Sequence, residues 1–169
     1  MWSCDAVRVA RRKAAVLLIA SLTAGCGFHL RGDVSYPPAM ATTYIEATDR
    51  YTPFYRKIKA ALRQGGVTVT SNAASAGAVL RIHEDASGQR VLTVSARNVP
   101  NEYDVYYVVR YSLDIAGKEA LPAQQLALDR DYTYDETLVL GKDAESEVIR
   151  QALADDLVGL VTRRLSSVR

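Results

Sequence analysis

The segment Tyr103-Asp104-Val105-Tyr106-Tyr107-Val108-Val109-Arg110-Tyr111-Ser112-Leu113-Asp114-Ile115 decides the fold class of this 169-residue chain. Its odd-numbered positions are all apolar or aromatic, whereas most even-numbered positions are polar or charged. Successive side chains of a β-strand point to opposite faces of the sheet. The segment therefore predicts a strand with one face on a core and the other in water, as in an antiparallel sheet. Core packing is the predicted role of the odd-numbered tyrosines, and Tyr106 and Arg110 are predicted on the outer face.

The β pattern continues on both sides of this segment, over residues 78–134. Three stretches rich in turn-forming residues interrupt it, at 85–88, 98–101 and 116–122. These breaks delimit four predicted strands. The last strand repeats the alternation, with Leu126, Leu128, Tyr132 and Tyr134 on one face.

A strand-helix-strand pattern precedes the β region. Residues 42–47 favour a short strand, and Thr52 and Pro53 are typical of a helix N-cap and first helical position. Apolar residues at helical spacing follow until Gly65-Gly66, which ends the helix. Residues 67–70 then alternate as a further strand.

The C-terminal segment predicts a long amphipathic helix that opens at Asp143 as N-cap. Acidic residues lie early and basic residues late, which complements the helix dipole. Its apolar stripe consists of Ile149, Ala152, Leu153, Leu157, Leu160, Val161 and Leu165. Together these elements predict an α+β fold: a two-layer sandwich with a largely antiparallel or mixed sheet of about four to six strands, and two helices packed on one face.

Residues 1–25 have the order of a bacterial lipoprotein signal. Four basic residues come first, a short apolar run at 14–22 follows, and small residues stand directly before Cys26. The run is far shorter than the roughly 20 residues that cross a bilayer, so a permanent transmembrane helix is the less favoured alternative. A thiol can take a thioether-linked diacylglycerol, and we predict acylation of Cys26. Removal of Cys4 with the signal would leave no partner for a disulfide.

Three regions are predicted along the chain. Residues 1–25 are the removed signal, 26–41 are the lipidated cysteine and an extended tether, and 42–169 are a single α+β domain. Gly27 is not the Asp that holds lipoproteins at the inner membrane of well-studied bacteria. We therefore expect a lipid-anchored protein on the periplasmic face of the outer membrane.

Charge argues against nucleic acid as a partner. The signal contains four of the 21 basic and one of the 19 acidic residues, so residues 26–169 carry a net charge of −1. A nucleic-acid-binding domain normally carries a basic patch and an excess of positive charge. The ten tyrosines all follow the signal, and Tyr combines strand propensity with an apolar body and a polar hydroxyl.

The sequence offers few candidates for catalytic or metal-ligating residues. Beyond the signal the chain has two histidines, His29 beside the anchor and His83 in a predicted strand. No serine stands in a nucleophile-elbow sequence, so a hydrogen-bonded or solvated His83 is favoured. The acidic residues match no zinc or calcium spacing, and Asp135-Glu136 fits a solvated turn. We predict no catalytic residue, no metal and no cofactor apart from the lipid on Cys26.

The anchor sequence Thr23-Ala24-Gly25-Cys26-Gly27-Phe28-His29-Leu30-Arg31 is similar to the acylation site of the LptE family, the lipopolysaccharide-assembly lipoproteins of Gram-negative outer membranes. The resemblance extends more loosely over the rest of the chain. It includes the Arg97-Asn98 turn before Glu102-Tyr103, the alternating strand, and the helix entry Leu140-Gly141-Lys142-Asp143-Ala144-Glu145.

The resemblance implies a non-enzymatic protein that plugs the large LptD β-barrel, helps it assemble and contacts lipopolysaccharide. Basic positions of the family that contact lipopolysaccharide match Arg97 and Lys142, and Arg90 and Lys118 are further candidates near loops. Cationic side chains at these positions suit the phosphates and carboxylates of that ligand. The alternative is that Arg97 and Lys142 are solvated loop residues.

Three classes of function stay open on the sequence. The first is the LptE-like binding and assembly subunit. The second is another outer-membrane lipoprotein of similar fold, such as a cell-wall or secretion-system adaptor. The third is a small periplasmic hydrolase, for which the chain lacks a recognisable nucleophile.

Overall fold

Five strands and two helices form the part of the chain that the computed structural model describes, residues 35–133 and 139–168, with the backbone alone for 139–143. The strands are β1 (Thr42–Ala47), β2 (Thr68–Thr70), β3 (Ala78–Val94), β4 (Pro100–Ile115) and β5 (Lys118–Thr133), and the helices are α1 (Pro53–Gln64) and α2 (Val139–Ser166). The predicted signal and the acylation site at Cys26 lie outside the described residues.

The strands form one mixed sheet in the order β2-β1-β3-β4-β5. β1 runs parallel to both β2 and β3, whereas β3, β4 and β5 form an antiparallel meander. The predicted α+β class is confirmed, because α1 connects the parallel strands β1 and β2 and α2 packs beside α1.

Strand β4 carries the core on its odd-numbered face. Val105, Tyr107, Val109, Tyr111 and Leu113 are at most 1% exposed. They share one cluster with apolar side chains of both helices, among them Phe54, Ile58, Leu62, Leu153, Leu157 and Val161. Core packing is therefore confirmed for Tyr107 and Tyr111. Tyr103 is half-buried and stacks on Tyr132 of β5, with ring centroids 5.7 Å apart.

The N-terminus of α1 is tied to the sheet by a hydrogen-bond network. As predicted, Thr52 caps the helix by accepting from the Tyr55 backbone N–H at 3.1 Å. The Thr52 hydroxyl donates in turn to Asp85 of β3. The Tyr107 hydroxyl donates to the same carboxylate at 2.7 Å and accepts from the Phe54 backbone N–H at 3.2 Å. Two N–H groups of the first helical turn, which lack intrahelical acceptors, are thereby paired.

The predicted break at 85–88 is wrong, because β3 runs through it and remains paired with β4. Asp85 is held in the strand by its two hydroxyl donors. Gly88 lies opposite Tyr106, and a Cβ at this position would come within 2.6 Å of the Tyr106 hydroxyl. These residues thus serve tertiary contacts inside a strand, although in sequence they have turn composition.

The predicted break at 116–122 shrinks to Ala116 and Gly117, both with positive φ (50° and 75°). Pairing resumes at Lys118, opposite Ile115. Pro122 lies within β5, where its missing N–H is tolerated because β5 is an edge strand. The four predicted strands from residue 78 onward are therefore three long ones.

Two boundaries and the burial of one residue also differ from prediction. α2 begins at Val139 rather than at Asp143. The predicted tether overlaps the domain, because a 3₁₀ turn spans Pro38–Met40 and Met40 is fully buried. Leu160, assigned to the apolar stripe of α2, is 36% exposed, whereas Leu157 and Val161 are buried. Asp135-Glu136 and Tyr134 lie outside the described residues.

The Asp85 network predicts a specific pH dependence of stability. Burial, the largest effect, raises the pKa of Asp85 above its ordinary value, although its two hydroxyl donors lower it. The unfolded carboxyl titrates near pH 4, so between that pH and the folded pKa the native state binds more protons than the unfolded state. The free energy of unfolding contributed by Asp85 should be complete below about pH 4 and be lost as pH rises through the folded pKa.

Urea denaturation of the wild type and of Asp85→Asn between acidic and neutral pH measures this effect. We expect the difference, wild type minus D85N, to fall as pH rises. Glu119→Gln, at the exposed start of β5, controls for the loss of one carboxylate. A difference that stays level or rises would contradict the assignment.

Candidate functional site

The turn between β3 and β4 presents Arg97 at an exposed tip. Ser95 donates its backbone N–H to the Val99 carbonyl at 2.8 Å, and Asn98 donates to the Ser95 carbonyl at 2.9 Å. Asn98 takes the left-handed conformation, with φ of 61°, which asparagine tolerates better than most residues. The guanidinium of Arg97 thus stands on an ordered turn.

Exposed apolar side chains flank this tip. Val91, Leu92 and Val94 of β3 are 47%, 48% and 56% exposed. β1 pairs with β3 only over residues 78–82, so among the described residues no strand pairs with that edge of the outer half of β3. This surface was not predicted, because in sequence an apolar stretch of an unpaired strand edge looks the same as one that packs in the core.

Arg90, a second predicted binding residue, is engaged in an ion pair. Its Nη2 lies 2.6 Å from Oδ2 of Asp104, outside hydrogen-bond geometry, and its guanidinium lies 5.8 Å from the centroid of the Tyr106 ring. Asp104 is 1% exposed although it belongs to the even-numbered face of β4. A buried carboxylate is costly without a countercharge, so Arg90 acts first as the partner of Asp104.

Two further aspartates, Asp129 and Asp131, lie beside this ion pair. Register places Asp131 of β5 opposite Asp104, and Asp129 lies two residues away on the same face. Their carboxylate oxygens all come within 4.8 Å of one another, and this is a donor set that a divalent cation can use. Because Arg90 already pairs with the buried Asp104, we interpret the three aspartates and Arg90 as an ion-pair cluster. The absence of a metal site stays a prediction.

The other two predicted cations are Lys118 and Lys142. Lys118 starts β5 opposite Ile115, at the far end of β4 from Arg97. β4 has 16 residues and spans about 50 Å at about 3.4 Å per residue, so one phosphate group cannot contact both side chains. The backbone of Lys142 lies in the first turn of α2, not in a loop before the helix as predicted. The four predicted residues therefore do not form one site.

The remaining side chains of the even-numbered face make an open, mixed surface. Tyr106 and Val108 are half-buried and Arg110 is exposed. His83 lies at the register shift between Ile82 and Glu84. Its Nε2 is 2.8 Å from the Ser112 hydroxyl, and this confirms the hydrogen-bonded strand histidine expected from the sequence.

The comparison with known families matches this arrangement of elements. A family model described as "LptE: Lipopolysaccharide-assembly" matches residues 40–165, which run from the buried Met40 to the buried Leu165 near the end of α2. The chain belongs to the LptE family. The resemblance seen in the sequence is thereby confirmed.

Curated relatives and solved structures agree with this membership. The chain is 30% identical over 145 residues to the LPS-assembly lipoprotein LptE of Yersinia enterocolitica, covering 85% of this chain and 70% of the relative. It is also 30% identical over 148 residues to LptE of Yersinia pestis, covering 87% and 71%.

Two solved lipoproteins share the fold. One is lipoprotein B of Nitrosomonas europaea, with a TM-score of 0.70 and 24% identity over 83% of this chain and 91% of that protein. The other is rare lipoprotein B of Shewanella oneidensis, with a TM-score of 0.65 and 22% identity over 75% and 94%. Within residues 35–133 and 139–168, neither helix of this LptE-family protein has the length and apolar character of a membrane span.

The ion pair at Asp104 predicts an asymmetric double-mutant cycle. Arg90→Gln should lower the free energy of unfolding at neutral pH by about 1–3 kcal/mol, because it leaves a buried carboxylate beside two others. The lower part of that range is expected, since the Arg90 side chain is 66% exposed.

Asp104→Asn in the same background should restore most of the loss, because the neutral amide no longer needs a countercharge. Thermal or urea unfolding of the two single variants and of R90Q/D104N measures the cycle. If R90Q is as stable as the wild type, the ion pair contributes nothing and this account of Arg90 is wrong.

Proposed function

We propose that this protein is the lipid-anchored plug and assembly partner of the LptD β-barrel, and that it binds lipopolysaccharide on its way to the cell surface. Membership of the LptE family over residues 40–165 carries the proposal. Under this proposal the protein has no catalytic role. Acylation of Cys26 would hold it at the periplasmic face of the outer membrane, with the residues before the domain as the tether.

The open face of the sheet suits a polar barrel lumen. Large outer-membrane barrels are polar inside, and interfaces favour tyrosine and arginine, which combine contact area with hydrogen bonds. On β4 this face offers Tyr106 and Arg110, and Gln125 of β5 lies opposite Arg110. The odd-numbered face is occupied by the helices, so the even-numbered face is the one that can meet the barrel wall.

The β3–β4 tip suits an amphiphilic anion. Arg97 offers a guanidinium that pairs with phosphate, while Val91, Leu92 and Val94 offer exposed apolar surface on the adjoining strand. Lipopolysaccharide has phosphates beside acyl chains, so both kinds of contact can be made together. Lys142 follows Thr133, the end of β5, by nine residues, and Thr133 pairs with Glu102 at the Arg97 end of the sheet.

Co-purification from outer membranes in mild detergent tests the proposal as a whole. A tagged copy should bring down a large β-barrel and retain lipopolysaccharide, and intact-mass analysis of the complex should report acylation at Cys26. Recovery of peptidoglycan or of a different membrane machine, with no barrel, would favour the alternative of another lipoprotein adaptor. Loss of both barrel and lipopolysaccharide would overturn the proposal.

Charge reversal tests the binding residues separately. Arg97→Asp with Lys142→Asp should weaken lipopolysaccharide binding by about tenfold or more, because each charge-assisted contact becomes a repulsion. Arg56→Asp with Arg163→Asp, at exposed helix positions, is the matched control and should bind as the wild type does. Unchanged circular dichroism of both proteins checks folding, and equal binding by all three would reject the site while leaving the family intact.

A further inference from the structure

A cleft of about 270 Å³ lies between α1 and the parallel edge of the sheet, away from the β3–β4 tip. Tyr55, Lys59 and Arg63 of α1 line one side at successive four-residue spacings, which places them on one stripe of the helix. The opposite side is formed by β1 and by the end of β2. Arg50, in the connection from β1 to α1, closes the cleft.

The cleft is lined by three positively charged side chains that have no acidic partner among the described residues. Arg50, Lys59 and Arg63 all line it, and no acidic residue of the described part of the chain does. Within the described ranges, none of these three cations forms an ion pair. Some cations elsewhere on the domain do form ion pairs: Lys57, on the same helix, pairs with Asp155 at 2.7 Å, and Arg81 pairs with Glu46 at 2.9 Å. An uncompensated cluster in a concave site attracts anions.

Neutral groups hold two of the cations in place. Arg50 donates from Nη2 to the Tyr44 hydroxyl at 3.2 Å, and Lys59 Nζ lies 5.9 Å from the centroid of the Tyr55 ring. Such contacts orient a cation without cancelling its charge. Ser71 adds a hydroxyl at the end of β2. β2 ends at Thr70, which pairs with Tyr44 in the middle of β1, so the residues after β2 lie beside the cleft.

We propose that this cleft is a second anion site, which binds a phosphate group through Arg50, Lys59 and Arg63. Arginine presents a planar fork that matches a phosphate, and lysine adds a point charge. The phosphate can belong to a lipid head group or to a small soluble ligand. The site shares no residue with the proposed lipopolysaccharide contacts at Arg97 and Lys142, so it stands or falls independently of them.

Calorimetric titration of the full chain in mild detergent tests the proposal, with inorganic phosphate and short-chain phosphatidic acid as probes. Both probes should bind saturably to the wild type. Lys59→Gln with Arg63→Gln should weaken binding by about tenfold or more. The matched control is Arg56→Gln with Arg163→Gln, which removes the same charge from exposed positions outside the cleft and should bind within about twofold of the wild type.

The outcomes separate the sources of phosphate. Tighter binding of phosphatidic acid than of inorganic phosphate, lost in K59Q/R63Q, identifies a lipid head group, whereas equal binding identifies a soluble phosphate. Absence of saturable binding, or equal loss in the control variant, would overturn the proposal. Unfolding midpoints of both variants check that the fold is intact.

Discussion

The register of β4 between β3 and β5 is the constraint on which the rest of the domain depends. Because side chains alternate along a strand, a shift of the β4 register by one residue would expose Tyr107 and Tyr111 to solvent. It would also bring Asp104 and Arg110 against the helices. The Tyr107 hydroxyl reinforces this register, since it joins Asp85 of β3 to the backbone N–H of Phe54 at the start of α1. One side chain therefore couples sheet pairing to helix placement.

Residues that stabilise the fold and residues available for binding lie in different parts of the sheet. The helices bury the odd-numbered face of β4, whereas the outer half of β3 has no neighbouring strand on one edge within the described residues. The side chains of that buried face are engaged in core packing. Arg97 and the apolar residues beside it lie in the outer half of β3 and the β3–β4 turn, where a partner can be bound without disturbing the core.

Whether a cationic side chain has an acidic partner inside the fold says more about its availability for an anion than its exposure does. Arg90 is largely exposed, yet its guanidinium is tied to the buried Asp104. Arg50, Lys59 and Arg63 line a cleft to which the described residues contribute no acidic side chain. A countercharge inside the fold reduces what a cation can offer a ligand, so the uncompensated side chains are the stronger candidates for binding anions.

The sequence by itself determined the element types and the α+β class, because alternation and helical spacing are local properties of the chain. β1 and the Thr52-Pro53 helix start followed directly from it. Only the tertiary structure decided that Asp85 and Gly88 lie inside a strand, that Asp104 meets Asp131 across the sheet, and that Arg50 approaches the stripe of Lys59 and Arg63. These relations join residues far apart in sequence or depend on how far strands pair, and no local pattern encodes them.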